Sequence, residues 1–453
     1  MRVLILPCET RAREFDAKLL LAVVAAGRGV TSIVGSKKPI DLDLGRFPDG
    51  VYVGKSVTAR SRHNLLLARS CGHRVALWDE EGLVWASREV YWRTKVDGPT
   101  LNEPELLLAW GEDNAAAWRE HPDYGGVPIV ACGNPRADLL KPRLHPLFAE
   151  EVDRITAEHG RFVLVNTNFS RVNHIQPRQN RHLKWLREQR PDDPRGGFAA
   201  HKYELFKAFR SALPELAKRR PDLRLVIRPH PSEQRRVWDE LAAPFDNLSV
   251  AQHGNVVAWL LACQGLIHNG CTTAVEAFQL GRPALAYRAV RSAHYDHPLP
   301  NGISRSCDNL DELDSQARRC FEDSASVFAE QAEGGGRAIM ARALSGFGED
   351  ELSSERLLDA LMPLLQNSSP PTGARPRTAR AALALRRLGR PLLEPIPGTA
   401  NYRPYLRHMF PPTSGGEVRD RARRLAECVG LSSDGFEVEA LGREVFRVAH
   451  RRA

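Results

Sequence analysis

Short runs of apolar, often β-branched residues recur along the chain, and each ends at polar residues before helical spacing begins. Val3 to Pro7, Arg74 to Trp78 and Leu223 to Arg228 are runs of this kind. Helical spacing from Arg11 to Gly29 and a second strand-like run from Val30 to Val34 follow the first one. Strands that alternate with helices predict parallel sheets, so the sequence predicts an α/β protein with Rossmann-like halves.

The second half of the chain contains two strand-to-helix turns that are rich in hydrogen-bond donors. In the first, Arg228 and His230 follow the strand, and the neighbouring prolines hold the backbone extended. In the second, the strand runs into His268, and a helix begins near Thr272. A helix N-terminus offers unpaired N–H groups and the positive end of a dipole, and arginine offers a fixed fork for oxyanions. Together these turns, predicted at successive strand ends, indicate a phosphate site.

The amides that end the strand from Phe162 are added to this site, because polar side chains at such a position commonly line a ligand cleft. The predicted nucleotide-binding residues are Asn166, Asn168, Arg228, His230, Ser232, His268, Asn269, Gly270, Cys271, Thr272, Thr273 and Glu276. Alternatives remain open for some of them. Thr273 and Glu276 also match a capping box that would only close the helix, and each histidine alone is compatible with an ordinary structural role.

Three acidic residues end a strand in the first half and are the predicted catalytic carboxylates. Asp79, Glu80 and Glu81 directly follow the run that ends at Trp78, and Gly82 comes next. A carboxylate can accept the proton of an attacking hydroxyl or act as a nucleophile. His230 is predicted to donate a hydrogen bond or a proton to the leaving phosphate. The alternative for the acidic run is a solvated turn in which Gly82 adopts a positive φ.

Composition excludes several classes of protein. The 453 residues are enough for two domains, and eight scattered cysteines with no C-x-x-C pair are typical of a reducing compartment. No Gly-x-Gly-x-x-Gly follows the first strand, so no nicotinamide cofactor is expected, and no metal-ligand spacing is present. The apolar run from Leu19 to Ala26 is too short to span a bilayer. A cytoplasmic location is predicted, in which the protein at most touches the inner face of the membrane.

Arg228-Pro-His-Pro231 and the run from His268 to Glu276 resemble the donor half of GT-B glycosyltransferases that act on surface polysaccharides. The similarity is greatest to the surface carbohydrate biosynthesis proteins, whose acidic run resembles Asp79 to Gly82. It is more distant to bacterial sialyl- and Kdo-transferases and to CDP-glycerol glycerophosphotransferases. The resemblance covers about residues 1 to 365. It implies two Rossmann-like domains facing a cleft, a nucleotide-sugar donor (CMP- or CDP-linked), a glycan or lipid-linked acceptor, and no metal.

These observations predict an N-terminal acceptor domain (1–157), a nucleotide-donor domain (158–366) and a linker with a C-terminal extension (367–453). A long loop is predicted over residues 175 to 200. The predicted function is metal-independent glycosyl transfer in surface polysaccharide biosynthesis. The alternatives are a UDP-sugar 2-epimerase-like enzyme and a non-catalytic nucleotide-binding assembly protein. The formal charge of +9 favours anionic partners, but no nucleic-acid motif supports DNA or RNA as one of them.

Overall fold

A computed structural model describes residues 2–176, 179–180, 194–367, 369, 371–396, 401–433 and 435–450. The described strands are β1 (Val3–Cys8), β2 (Thr31–Ser36), β3 (Val51–Gly54), β4 (Arg74–Trp78), β5 (Leu106–Ala109), β6 (Ile129–Ala131), β7 (Val163–Asn166), β8 (Leu225–Arg228), β9 (Leu248–Val250), β10 (Gly265–His268), β11 (Ala284–Tyr287), β12 (Arg305–Cys307), β13 (Phe436–Gly442) and β14 (Val445–His450).

The described α-helices are α1 (Asp16–Gly27), α2 (Lys37–Asp43), α3 (Ala59–Cys71), α4 (Arg88–Thr94), α5 (Gly98–Leu101), α6 (Glu112–Arg119), α7 (Pro135–Asp138), α8 (Ala149–His159), α9 (Pro194–Arg219), α10 (Arg236–Ala242), α11 (Val256–Ala262), α12 (Thr272–Gln279), α13 (Pro298–Gly302), α14 (Leu310–Glu322), α15 (Ser324–Gln331), α16 (Arg337–Ala343), α17 (Ser353–Gln366), α18 (Pro376–Leu393), α19 (Arg403–Met409) and α20 (Gly415–Cys428). Short 3-10 and π turns connect some of them. No helix within the described ranges is both long and apolar enough to cross a bilayer.

The chain divides into two compact units, and the first combines residues 1–83, 95–147 and 343–453. Its sheet has the order β13-β14-β2-β1-β3-β4-β5-β6. Strands β1 to β6 are parallel, whereas β14 is antiparallel to β2 and to β13. The apolar run from Leu19 to Ala26 is buried throughout and forms most of α1. This explains why so apolar a segment occurs here: it is a core helix.

The second unit combines residues 84–94 and 148–342 and contains a fully parallel six-stranded sheet. Its order is β12-β11-β10-β7-β8-β9. Counted from β7, this is the 3-2-1-4-5-6 order of the doubly wound Rossmann fold. The continuous apolar strands of the sequence are buried here, as expected for a parallel sheet covered on both faces. The predicted α/β class with Rossmann-like halves is confirmed.

The compact units divide the chain differently from the predicted boundaries at 157 and 366. Helix α17, assigned to the donor domain from its sequence, groups with the first unit, as does the described part of the C-terminal extension. The reason is a set of specific contacts within that unit. Asp138 accepts hydrogen bonds from the N–H groups of Ser353 (2.7 Å) and Ser354 (2.8 Å), which fixes the start of α17. Strand β14 then extends the sheet beside β2.

The predicted loop from 175 to 200 is shorter than expected at its C-terminal end. Helix α9 begins at Pro194, so the helix includes the last residues of that segment. Residues 177–178 and 181–193 lie outside the described ranges.

Candidate functional site

The predicted phosphate site lies at the carboxyl ends of the central strands of the second unit. Asn166 at the end of β7 is in register with Arg228 at the end of β8 and with His268 at the end of β10. Strands β7 and β10 are the neighbours at which the strand order reverses, and open α/β sheets bind ligands at that point. The expectation of successive strand ends is wrong, because β9 lies between β8 and β10 in sequence and β7 separates them in the sheet.

Asn166 lies in the middle of this edge. Its Nδ2 donates to the hydroxyl of Thr273 at 3.1 Å, which ties the end of β7 to the first turn of α12. Its Oδ1 is buried and has no hydrogen-bond partner among the described residues. The same is true of Oδ1 of Asn269, whose Nδ2 donates to the backbone oxygen of Asn168 at 3.3 Å. A buried polar atom without a partner costs free energy, so such atoms at a strand edge indicate a ligand site.

Arg228 supplies a buried cation at the same edge. Its Nη2 donates to the backbone oxygen of Gly254 at 2.9 Å, and its Nε has no partner within the described part of the chain. Burial lowers the pKa of Arg228 to about 10, while the charges of Glu276 and Glu151 act in the opposite direction. The guanidinium therefore stays charged near neutral pH. Its proximity to Glu276 brings two of the predicted binding residues together.

His268 is fully buried, and both of its ring nitrogens are engaged inside the protein. Nδ1 accepts the N–H of Gly270 at 2.9 Å, so Nε2 carries the proton and donates to the hydroxyl of Ser304 at 2.9 Å. Burial lowers the pKa of His268 to about 3, so the ring is neutral. These contacts support a positioning role for His268 in the turn at 269–271. Direct contact of its ring with a nucleotide stays a prediction that the geometry does not favour.

The turn after β10 has the conformation expected of a close backbone approach. Gly270 has φ +77°, which a residue with a side chain rarely adopts. Cys271 is the N-cap of α12, and no side chain caps the helix. The helix therefore begins at Thr272, two residues before a capping box between Thr273 and Glu276 would allow. The capping interpretation of these two residues is wrong.

His230 and Ser232 follow β8 in a turn that Glu233 holds together. Nδ1 of His230 accepts the N–H of Ser232 at 3.1 Å, which leaves the proton on Nε2. Glu233 is 1% exposed, and its carboxylate accepts the Thr167 hydroxyl at 2.9 Å and the Phe169 N–H at 2.8 Å. Glu233 thus joins the ends of β7 and β8. Burial raises its pKa, although these hydrogen bonds oppose the shift.

A pocket within the second unit is lined in part by Asn269 and Gly270 of the turn after β10. Lys202 on α9 lines it, is 3% exposed, and donates from Nζ to the backbone oxygen of Asn269 at 2.9 Å. Burial lowers the pKa of Lys202 to about 8. Asn301 also lines the pocket, and its buried Oδ1 has no partner among the residues that the structure describes. The second edge therefore holds two buried cations, Arg228 and Lys202.

The sheet edge of the first unit is built differently, because its buried charges are paired with one another. Nζ of Lys18 on α1 lies 2.8 Å from Glu14 and 2.9 Å from Glu80, and all three side chains are almost fully buried. Lys55, at the end of β3, forms an ion pair with Glu9 and lies 3.7 Å from Glu14. Glu80, a predicted catalytic residue, is therefore already held by a lysine.

The pKa values of Glu14 and Glu80 are shifted in opposite directions. Burial raises the pKa of Glu14, even though Lys18 acts to lower it. Burial would also raise the pKa of Glu80, but the charges of Lys18, Arg136 and Lys55 together outweigh it and the pKa falls below its usual range. Glu80 therefore stays ionised beside Lys18, and only 5% of its side chain is exposed, so an acceptor hydroxyl has little access to it.

Of the three predicted acids, Glu81 is the exposed one. Asp79 is 1% exposed, and its Oδ1 accepts the N–H of Glu81 at 3.2 Å. Glu81 pairs with Arg13 at 3.0 Å, and 48% of its side chain is exposed. Partial burial would raise the pKa of Glu81, but Arg13 and other basic residues hold it at about 2. The residues do form a turn, with Gly82 N–H bound to the Asp79 oxygen, yet Gly82 does not have the positive φ that the alternative required.

No family model and no curated protein matches the sequence. Among solved structures, the UDP-GlcNAc 2-epimerase from Neisseria meningitidis bound to UDP-GlcNAc is similar, with a TM-score of 0.50, 14% identity, and coverage of 80% of this chain and 100% of that chain. The chain has a GT-B-like fold.

Two further similar structures have TM-scores below 0.50. The UDP-GlcNAc 2-epimerase of Methanocaldococcus jannaschii has a TM-score of 0.49, 14% identity, and coverage of 80% of this chain and 100% of that chain. The wall teichoic acid polymerase TagF has a TM-score of 0.48, 11% identity, and coverage of 80% of this chain and 87% of that chain. At 14% identity, the likeness to the meningococcal enzyme establishes the fold alone.

Several residues of these edges were not predicted to have a role. Glu233 belongs to the run that contains Arg228 and His230, and its position directly after Pro-Ser was a usable signal. Lys202 and Lys18 sit in helices with no distinguishing neighbours, so only their burial identifies them.

Proposed function

We propose that this chain is a metal-independent GT-B glycosyltransferase that moves a sugar or related unit from a nucleotide donor during surface polysaccharide biosynthesis. The observation that carries the proposal is the register of Asn166, Arg228 and His268 at the ends of adjacent parallel strands, at the switch point of a Rossmann-like sheet. Nε of Arg228, which has no partner among the described residues, lies at that edge and can donate to a phosphate oxygen of a nucleotide. The buried Oδ1 atoms of Asn166 and Asn269 are acceptors and suit the hydroxyl or N–H donors of its ribose or base.

The proposed roles follow from charge and exposure. Arg228 and the N-terminus of α12 stabilise the negative charge that develops on the departing nucleotide, which makes a cation unnecessary. His230 donates from Nε2 to the same phosphate, because its Nδ1 is already an acceptor. Glu276 binds the ribose hydroxyls. The resemblance to surface carbohydrate biosynthesis proteins supports a glycan or lipid-linked acceptor and a CMP- or CDP-linked donor.

Glu81 is the proposed catalytic carboxylate, because 48% of its side chain is exposed, whereas Asp79 is buried and only 5% of the Glu80 side chain is exposed. Glu81 acts as a base once it has parted from Arg13. The test is transfer from nucleotide-sugar donors to a glycan acceptor by the Glu81→Gln variant. A reduction of the transfer rate by about 100-fold or more is expected for the loss of a general base. Glu112→Gln is the matched control, since Glu112 also pairs with an arginine at 2.9 Å and its side chain is 63% exposed. Equal rates for Glu81→Gln and the control would remove Glu81 from the mechanism.

A UDP-sugar 2-epimerase is the second candidate, favoured by the likeness to the meningococcal enzyme, whose structure holds UDP-GlcNAc. Epimerisation needs no acceptor, whereas transfer does. Incubation with UDP-GlcNAc alone, followed by NMR of the sugar, separates the two functions. The transferase proposal predicts that the sugar stays unchanged until an acceptor is added. Formation of the 2-epimer without an acceptor would instead establish the epimerase.

A further inference from the structure

Helix α18, in the first unit, presents an apolar face to solvent. Leu385, Leu388 and Leu392 are 70%, 76% and 75% exposed, and their spacing places them on one side of the helix. The opposite side is held by the protein: Leu383 is 3% exposed, and the helix packs against α2 and α3. Single exposed leucines are common, but three on one helix face form a patch that needs a partner.

The arginines of α18 flank this face and some of them hold the helix in place. Arg387 pairs with Asp43 at 2.8 Å, and Arg386 is hydrogen-bonded to His63 at 2.9 Å. Arg377 and Arg380 are exposed. Between residues 375 and 409 the sequence has eight arginines and a single acidic residue. The exposed leucines are therefore surrounded by strong positive charge.

We propose that α18 lies flat on an anionic lipid bilayer and inserts Leu385, Leu388 and Leu392 among the acyl chains. An apolar helix face flanked by arginine is the arrangement of helices that bind in the membrane interface. The charge argues for lipid over a second copy of the chain, because two such patches would bring their arginines together. The proposal concerns a surface of the first unit and does not depend on the proposed function.

Vesicle flotation tests this surface directly. The full chain is mixed with vesicles of equal parts phosphatidylglycerol and phosphatidylcholine, or with phosphatidylcholine alone. Wild-type protein is expected to float with the anionic vesicles, and less so at high salt, where surface charges are screened. The triple variant Leu385→Ser, Leu388→Ser, Leu392→Ser is expected to lose about 50-fold or more in vesicle affinity, since each buried leucine contributes to binding.

Matched variants separate insertion from general effects. Leu66 and Leu441 are 39% and 40% exposed elsewhere in the first unit, so the double variant Leu66→Ser, Leu441→Ser should bind as wild type does. Replacing Arg377 with glutamine should weaken binding to anionic vesicles about fivefold, the effect of one charge near the surface. Equal melting temperatures by circular dichroism would show that all variants are folded.

Two results would overturn the proposal. One is that the triple variant floats with anionic vesicles as well as the wild-type protein does. The other is that the wild-type protein does not float with anionic vesicles. If, in that second case, analytical ultracentrifugation finds a wild-type dimer that the triple variant dissociates, the leucine face is assigned to self-association.

Discussion

The carboxyl edges of the two sheets differ in how their buried charges are compensated; the edge in the first unit is called the first edge and that in the second unit the second edge. In the first unit, Lys18 lies between Glu14 and Glu80, so its positive charge is compensated by carboxylates of the same unit. In the second unit, Arg228 and Lys202 are buried cations that donate hydrogen bonds to backbone oxygens, those of Gly254 and Asn269. Neutral carbonyl oxygens do not balance a positive charge as a carboxylate does. Nearby carboxylates such as Glu276 and Asp296 offset the burial only in part, since the pKa values of Arg228 and Lys202 both stay lowered. The second edge is therefore the better prepared for an anionic ligand.

This difference predicts different effects of substitutions on protein stability and on ligand binding. A buried ion pair that loses one partner leaves an uncompensated charge, which is strongly destabilising. A buried cation whose burial is only partly offset is itself costly, and a ligand that supplies negative charge recovers that cost. We therefore expect substitutions at the first edge to act mainly on folding and substitutions at the second edge to act mainly on nucleotide affinity.

The largest expected effect is that of Lys18→Met on stability. The change leaves Glu14 and Glu80 buried without their lysine, so the free energy of unfolding should fall by about 3 to 5 kcal/mol. Urea denaturation measures it. Lys207→Met is the control, because Lys207 pairs with Glu204 on the surface, with 51% of each side chain exposed, and such pairs contribute under about 1 kcal/mol.

A second substitution sharpens this prediction. Glu14→Gln combined with Lys18→Met removes one of the two carboxylates left unpaired, so it should recover part of the lost stability. If Lys18→Met were no more destabilising than Lys207→Met, the first edge would not be a compensated charge cluster, and the contrast between the edges would fail.

A smaller effect is expected in the pH dependence of nucleotide affinity. Burial lowers the pKa of Lys202 to about 8, so the side chain is protonated below that pH and loses its charge above it. A bound phosphate favours the protonated form and raises the pKa. Affinity for a nucleoside diphosphate should therefore be full below pH 8 and fall by up to about tenfold per pH unit above it.

The pH dependence of nucleotide affinity should be compared between the wild-type protein and the Lys202→Met variant. The variant should bind more weakly below pH 8 and lose the fall in affinity above it. Arg228 stays charged over this range, because its pKa is about 10. An unchanged alkaline fall in Lys202→Met would assign the titration to another group.

The local sequence pattern was sufficient to predict the polar strand ends of the second edge, because each strand and the polar residues that follow it are adjacent in the sequence. The runs before Arg228 and His268 are buried strands, and their polar ends meet because parallel strands end at one edge. The pairing of β14 with β2 could not be predicted, since it joins residues more than 400 positions apart. The Lys18 cluster was missed for the same reason: Glu80 is distant from Glu14 in sequence, and only the fold brings them together.

Isothermal titration calorimetry with CMP, CDP, UDP and GDP tests the central claim most directly. Wild-type protein should bind at least one of these nucleotides, and Arg228→Met should bind it about 10- to 150-fold more weakly, the range for a lost charged hydrogen bond. Arg235→Met is the control, since Arg235 lies in the same segment but is paired with Asp239 and is half-exposed. Equal affinity for wild type and Arg228→Met, or no binding of any of the four nucleotides, would contradict a nucleotide site at the second sheet edge.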